Sequence, residues 1–166
     1  MARRWDSYEN PANFYSLQAP RINGVTSWRK RAGLFWIDAE SPMAHRKAIE
    51  RYAYYFKREM AFSGVQYEPS EHTDKTCKAF GIVKDDWSGK CRLIGAGCFR
   101  FRQYTNHPSE WVLQWIYFHP CARRRGHLSE VFPVFETDVG KFSIERPLSL
   151  GMSAFLEKYA TKFDVV

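Results

Sequence analysis

The chain has 166 residues, enough to bury one continuous core and too few for two ordinary domains to be expected. With 45% hydrophobic and 17% aromatic residues it lies outside the charge-dominated class that stays disordered, and no apolar run approaches the roughly 20 residues that span a bilayer. A formal net charge of +7 favours an anionic partner, whether nucleic acid, an acidic protein or a phosphorylated cofactor.

Residues 1 to 33 mix Pro, Gly and Asn with aromatics and show no sustained period, so an irregular arm is expected. Trp5, Phe14, Tyr15 and Trp28 should pack, because such rings are costly to leave in water, while Arg3, Arg4, Arg29, Lys30 and Arg31 make the arm basic. The folded domain is then expected over residues 34 to 166.

It opens with a short strand, LFWI (34 to 37). A helix follows, because Ala48, Ile49, Tyr52, Ala53, Phe56 and Met60 recur at three- and four-residue steps. Ser41 before Pro42 suits an N-cap and first turn, and Gly64 suits a stop. After the polar loop EPSEHTDK, the runs TCKAFGIVK and CRLIGAGCFRFRQ flank DDWSG and predict an antiparallel hairpin. One register would set Cys77 opposite Cys98. Gly95 and Gly97 mark a bulge or a close backbone approach.

EWVLQWIYF (110 to 118) is bulky on both alternating faces and should be a central, doubly covered strand. From Leu128 a helical stripe runs through Val131, Phe132, Phe135, Val139 and Phe142, with Pro133 expected to kink it or delay its start. A short strand (SIERPLSL), a helix (SAFLEKYA) and a final strand near FDVV close the chain. The four cysteines, Cys77, Cys91, Cys98 and Cys121, form no CxxC pair and take no zinc-ligand spacing with the histidines. Buried free thiols, no metal and a reducing cytoplasm are therefore expected, in the absence of a secretory signal.

The chemistry concentrates in WIYFHPCARRRGHLSEV, residues 115 to 131, where the central strand feeds a helix through three arginines and a glycine. A helix N-terminus offers unpaired N–H groups and about half a positive charge, Gly126 permits close backbone approach, and Arg123, Arg124 and Arg125 add charge-assisted donors. Such a junction suits a pyrophosphate. It is neither GxxxxGK[ST] nor GxGxxG, which excludes those two phosphate-binding patterns.

Pro120 followed by Arg123-Arg124-Arg125-Gly126-His127-Leu128 resembles the pyrophosphate loop of the GNAT (Gcn5-related N-acetyltransferase) superfamily, Arg/Gln-x-x-Gly-x-Gly/Ala, commonly three residues after a proline. Leu128 stands where that family prefers Gly or Ala. EKYATKF similarly places Tyr159 and Phe163 like the family's late tyrosine and Gly-Phe step, with Lys162 in place of the glycine. The order of elements from about residue 34 onward also fits.

The resemblance implies an α+β fold with a mixed, mostly antiparallel central sheet flanked by helices and splayed between its fourth and fifth strands. It implies an acyl-CoA-dependent N-acyltransferase, with acetyl-CoA as cosubstrate and direct attack by an amine. Backbone N–H groups of Trp115, Ile116, Tyr117 and Phe118 would hold the thioester and pantetheine, and Arg123 to Leu128 the pyrophosphate. Glu110 is the candidate base, acting directly or through water, with His119 and His107 as alternatives because histidine titrates near neutral pH. Tyr159 is the candidate acid for the departing thiolate, and Ser149 and Ser153 would orient substrate or coenzyme. A small amine, a protein lysine or N-terminus, and a nucleic-acid amino group are all open as acceptors. The rival expectation is a non-catalytic nucleic-acid-binding module, suggested by the basic arm and by the arginine and aromatic alternation of CFRFRQY.

Overall fold

A computed structural model describes residues 17–25, 28–70, 75–86, 88–159 and 162–166. Five strands form one sheet in chain order: β1 (Leu34–Trp36), β2 (Cys77–Asp85), β3 (Cys91–Arg102), β4 (Glu110–Phe118) and β5 (Phe142–Ile144). The first four pair antiparallel and β5 joins β4 in parallel. Helix α1 (Met43–Glu59) covers one face; α2 (His127–Val139) and α3 (Leu150–Lys158) pack on the other. The mixed sheet flanked by helices is the α+β architecture expected. Among the described residues no helix is long and apolar enough to cross a membrane.

The α1 stripe folds as its period dictates, burying Ala48, Ile49, Tyr52, Ala53 and Phe56. Its ends differ from expectation. Pro42 takes the N-cap position, and the Ser41 hydroxyl accepts from the Asp38 N–H at 2.9 Å, bracing the preceding turn rather than capping the helix. The stop precedes Gly64. Ala61 adopts φ +55°, its N–H donating to the Arg58 carbonyl and that of Phe62 to the Lys57 carbonyl, while the Phe62 ring stacks on Phe56 at 5.3 Å. This is a Schellman closure in which an aromatic contact sets the turn at an alanine.

In the β2–β3 hairpin Cys77 lies opposite Arg100, and Cys98 opposite Ala79, so the register differs by two residues from the one that pairs the cysteines. The two thiols nevertheless meet diagonally, Sγ to Sγ 3.3 Å, and none of the four cysteines is in a disulfide. Gly97 is a close approach: a Cβ there would lie 2.5 Å from the Trp115 carbonyl oxygen and against the Phe80 ring.

β4 is central, with Trp115 and Tyr117 in the α1-side core and Leu113 in the core beneath α2. α2 begins at His127 and passes unbroken through Pro133, so the late start expected from that proline does not occur. Pro133 and Ser129 both lie on the exposed face, where water can solvate the Ser129 carbonyl that loses its N–H partner. Val131, Phe132 and Phe135 are buried opposite. The closing strand reduces to a parallel bridge of Val165 with Ile144.

The N-terminal segment joins the fold from Leu17 onward. Ile22 is buried, its N–H donates to the Cys91 carbonyl, and Arg21 bridges to Arg92. The expected packing of Trp5, Phe14 and Tyr15 lies outside the described residues, as does the Trp28 side chain.

Candidate active site

The pairing of β4 changes at Gln114. Cys98 of β3 lies opposite Trp115 and Phe99 opposite Leu113, so Gln114 is an extra residue, a bulge that reverses which backbone groups face which neighbour. Before it, the Leu113 carbonyl accepts from the Glu145 N–H on the β5 side. Beyond it, the His119 N–H donates to Ile94 of β3, which by strand alternation turns Trp115 and Tyr117 toward β3 and the N–H groups of Ile116 and Phe118 toward the β5 side. β5 ends at Ile144, opposite Leu113, so no described strand pairs there. The result is a splay with unpaired backbone donors along one wall.

The Gln114 amide fixes the bulge. Its oxygen accepts from Arg100 Nε at 3.0 Å, and its nitrogen donates to Gln66 Oε1 at 3.0 Å. Between the strands lies a cavity of about 30 Å³, lined among others by Phe56, Trp115, Ile116, Glu145, Ser149 and Met152. It has room for about one water, so a larger group there would require its lining to move.

At the end of β4 the chain enters the arginine turn. Arg124 has φ +59° and Gly126 φ +83°, and the left-handed Gly126 is the N-cap of α2. The Glu130 N–H is the first to find its helical carbonyl, that of Gly126, at 3.0 Å. The N–H groups of His127, Leu128 and Ser129 stand ahead of that ladder and give this end its positive potential. Leu128 packs on the core beneath α2, so its side chain is engaged inward. His127 stacks on Phe118 with ring centroids 6.4 Å apart.

The arginines divide their work. The Arg123 guanidinium grips Glu59 of α1 with two bonds of 2.6 and 2.7 Å, donates from Nε to the Phe118 carbonyl at 3.0 Å, and lies 4.9 Å from the Tyr117 ring centroid. It buckles the loop to α1 and closes the last β4 carbonyl. Arg124 and Arg125 are exposed, leaving their charges to solvent or a ligand. On the β3 side a second cavity, of about 520 Å³, is lined by Arg125, His127, Cys121, Lys84 and Arg92 among others.

The catalytic candidates are spread apart. Glu110 lies at the far end of β4, six residues and roughly 20 Å of strand from Ile116, and its carboxylate accepts from the Ser143 hydroxyl at 2.6 Å. His107 is exposed in the loop before it. His119 is buried: Nε2 donates to the Leu17 carbonyl at 2.8 Å, and Nδ1 accepts from the Cys121 N–H at 3.2 Å. Burial chiefly, with Arg123 adding to it, holds its pKa below the usual histidine range against the pull of the Leu17 carbonyl. Both ring nitrogens brace the fold and the structure does not bring them to the splay.

The consequence can be measured. A histidine kept neutral by folding contributes stability above its unfolded pKa of about 6.5, and that stability is lost as pH falls toward its depressed folded value. Denaturant unfolding at pH 8 and pH 5.5 should show wild type losing more stability on acidification than His119→Gln. Equal losses would remove this role.

Tyr159 caps the end of α3 and packs with Phe132, Phe155 and Phe163, its hydroxyl donating to Glu136 Oε2 at 3.2 Å. Burial first, then the Glu136 charge, raises its pKa, so it carries a proton at neutral pH. The Ser149 hydroxyl caps α3 by accepting from the Met152 N–H at 3.1 Å, and Ser153 sits one turn along. Glu59 and Gln114 were not singled out from sequence. Glu59 lies 64 residues from Arg123, and neither residue belongs to a motif that reveals its partner.

No protein-family model and no curated protein sequence matches the chain. Solved structures do resemble it. The acetyltransferase domain of xEco2 superposes with a TM-score of 0.55 at 13% identity, covering 80% of this chain and 89% of that one. A ribosomal-protein-alanine N-acetyltransferase from Brucella melitensis biovar Abortus 2308 gives 0.53 at 13% identity, covering 77% and 90%. The chain therefore shares the fold of these two solved structures, and its own parallel β4–β5 pair opens into the splay.

Proposed function

We propose that the chain is an acyl-CoA-dependent N-acyltransferase, using acetyl-CoA and transferring the acyl group to an amine by direct attack. The observation that carries this reading is the Gln114 bulge, which leaves the Ile116 and Phe118 N–H groups without a partner among the described residues on a strand that leads, through the short 3-10 turn Pro120–Ala122 and the arginines, to the left-handed Gly126 and the open end of α2.

The residues fit such a cosubstrate. Open space surrounds the position a Gly126 Cβ would take, so the loop backbone is approachable. The N–H groups of His127 and Leu128, with the exposed Arg124 and Arg125, supply donors and charge for a pyrophosphate. The Ile116 and Phe118 N–H groups would bind amide and carbonyl oxygens of the pantetheine arm and thioester. Arg123 acts indirectly, holding the loop through Glu59.

Transfer requires a neutral amine, a polarised carbonyl and a proton for sulfur. Tyr159, kept protonated, is assigned the last of these, and Ser153 an orienting role. Glu110, roughly 20 Å along β4 from Ile116, would take up the amine proton only at the end of a chain of several waters. The acceptor is left as a small amine, a protein amine or a nucleic-acid amino group, in a cytoplasmic setting, with residues 1 to 33 as a basic arm toward an anionic acceptor.

The test is release of the coenzyme A thiol from acetyl-CoA, followed with a thiol reagent across a panel of polyamines, peptides and tRNA. Acceptor-dependent release is expected. Tyr159→Phe should slow it about 100-fold or more with acetyl-CoA affinity unchanged; equal turnover in that variant would remove the acid role.

A further inference from the structure

Trp115 is 2% exposed, yet its indole Nε1–H is buried with no hydrogen-bond partner among the described residues. A donor removed from water and left unpaired is unfavourable, so a native fold that keeps one usually holds it for a water or a ligand. Trp115 also lines the cavity between β4 and β5, together with Phe56, whose ring packs 5.7 Å from its own. Phe would have filled the same aromatic site against Phe56 without the polar atom.

The bulge explains why this residue is placed to act. Trp115 is the first residue beyond Gln114: its backbone turns to β3, its side chain enters the α1-side core, and the next N–H, of Ile116, faces the splay. Both Ile116 and Trp115 border the same small cavity. The lining thus includes both the residue with the free backbone donor and the residue with the unpartnered indole donor. The nearby Gln114 amide cannot substitute, being engaged by Arg100 and Gln66.

We propose that Trp115 Nε1–H is a catalytic hydrogen-bond donor to the acyl carbonyl oxygen, completing with the Ile116 N–H a two-donor oxyanion site. This rests on the acyl-CoA reading above. The amine lone pair forms the C–N bond as the carbonyl π pair moves onto oxygen. Its return expels the C–S bonding pair onto sulfur, and the proton lost by nitrogen is balanced by the proton that sulfur takes up. The two donors stabilise the charge that passes through the oxygen.

The test uses two unreactive thioethers of coenzyme A: the S-acetonyl compound, which keeps a carbonyl, and the S-propyl compound, which lacks it. The wild-type indole ¹H–¹⁵N resonances are assigned by through-bond spectra, so the result does not depend on any variant folding. S-acetonyl-CoA should move the Trp115 resonance downfield and S-propyl-CoA should not, with both stabilising the protein thermally. Trp115→Phe should lower kcat about 100-fold with acetyl-CoA affinity within about two-fold. If both thioethers bind and the Trp115 resonance stays put, or moves equally with each, the oxyanion role is wrong and the coenzyme reading stands. If neither binds, the coenzyme reading itself fails.

Discussion

Gly126→Glu should abolish acetyl-CoA binding while leaving the protein folded. Nothing lies within 4 Å of a Cβ at this position, so the side chain can start into open space, and the backbone penalty is the left-handed conformation at φ +83°. That penalty is about 1–2 kcal/mol. The carboxylate would stand where pyrophosphate charge is expected. Two like unit charges about 4 Å apart at an effective dielectric near 20 repel by about 4 kcal/mol, roughly three orders of magnitude in affinity. Circular dichroism should match wild type, and calorimetric titration should show no binding at concentrations that saturate it. Normal binding by the variant would show that the loop does not hold the coenzyme.

Gly97→Ala should destabilise the fold by about 3 kcal/mol, the upper part of the range for overpacking a core. The added methyl would lie 2.5 Å from the Trp115 carbonyl oxygen, a backbone atom fixed by the β3–β4 ladder, and would also strike the Phe80 ring. Either β3 and β4 separate or Phe80 leaves its place among Trp36, Phe99 and Phe135. Strand separation would disturb Ile116, the register partner of Gly97, so acetyl-CoA affinity should fall along with stability. Urea unfolding measures the first effect and titration the second. A variant as stable as wild type would mean that this close approach is relaxed in solution.

Much of the fold was legible because it rests on local periodicity. The α1 stripe, the β2–β3 hairpin, the doubly covered β4 and the core face of α2 follow from which residues recur at which step. The misjudged features depend on contacts distant in sequence or on exposure. Ser41 was displaced as a cap because Asp38 engages it, and the α1 stop moved because Phe62 could stack on Phe56. Pro133 is tolerated because it faces water.

The candidate site was legible in its backbone and not in its side chains. Pro120, Arg123 and Gly126 marked the turn by spacing, and Gly126 adopts a left-handed conformation there. Arg123 read as the best-placed phosphate ligand, but its charge is held by Glu59 on another element. His119 read as a base, and its ring is engaged by the Leu17 carbonyl, 102 residues earlier, and by the Cys121 N–H. Sequence spacing identifies where a turn must open; the partner of a long side chain is a property of the assembled sheet and helices.

The most direct measurement is a thermal or denaturant unfolding series of the wild-type chain with acetyl-CoA. At 100 times its dissociation constant a ligand bound only by the folded state should add about 2.7 kcal/mol of stability, and Gly126→Glu should show none of it. No shift with any acyl-CoA would contradict the account, and salt-sensitive nucleic-acid binding in its place would make the chain a binding module on an acetyltransferase fold.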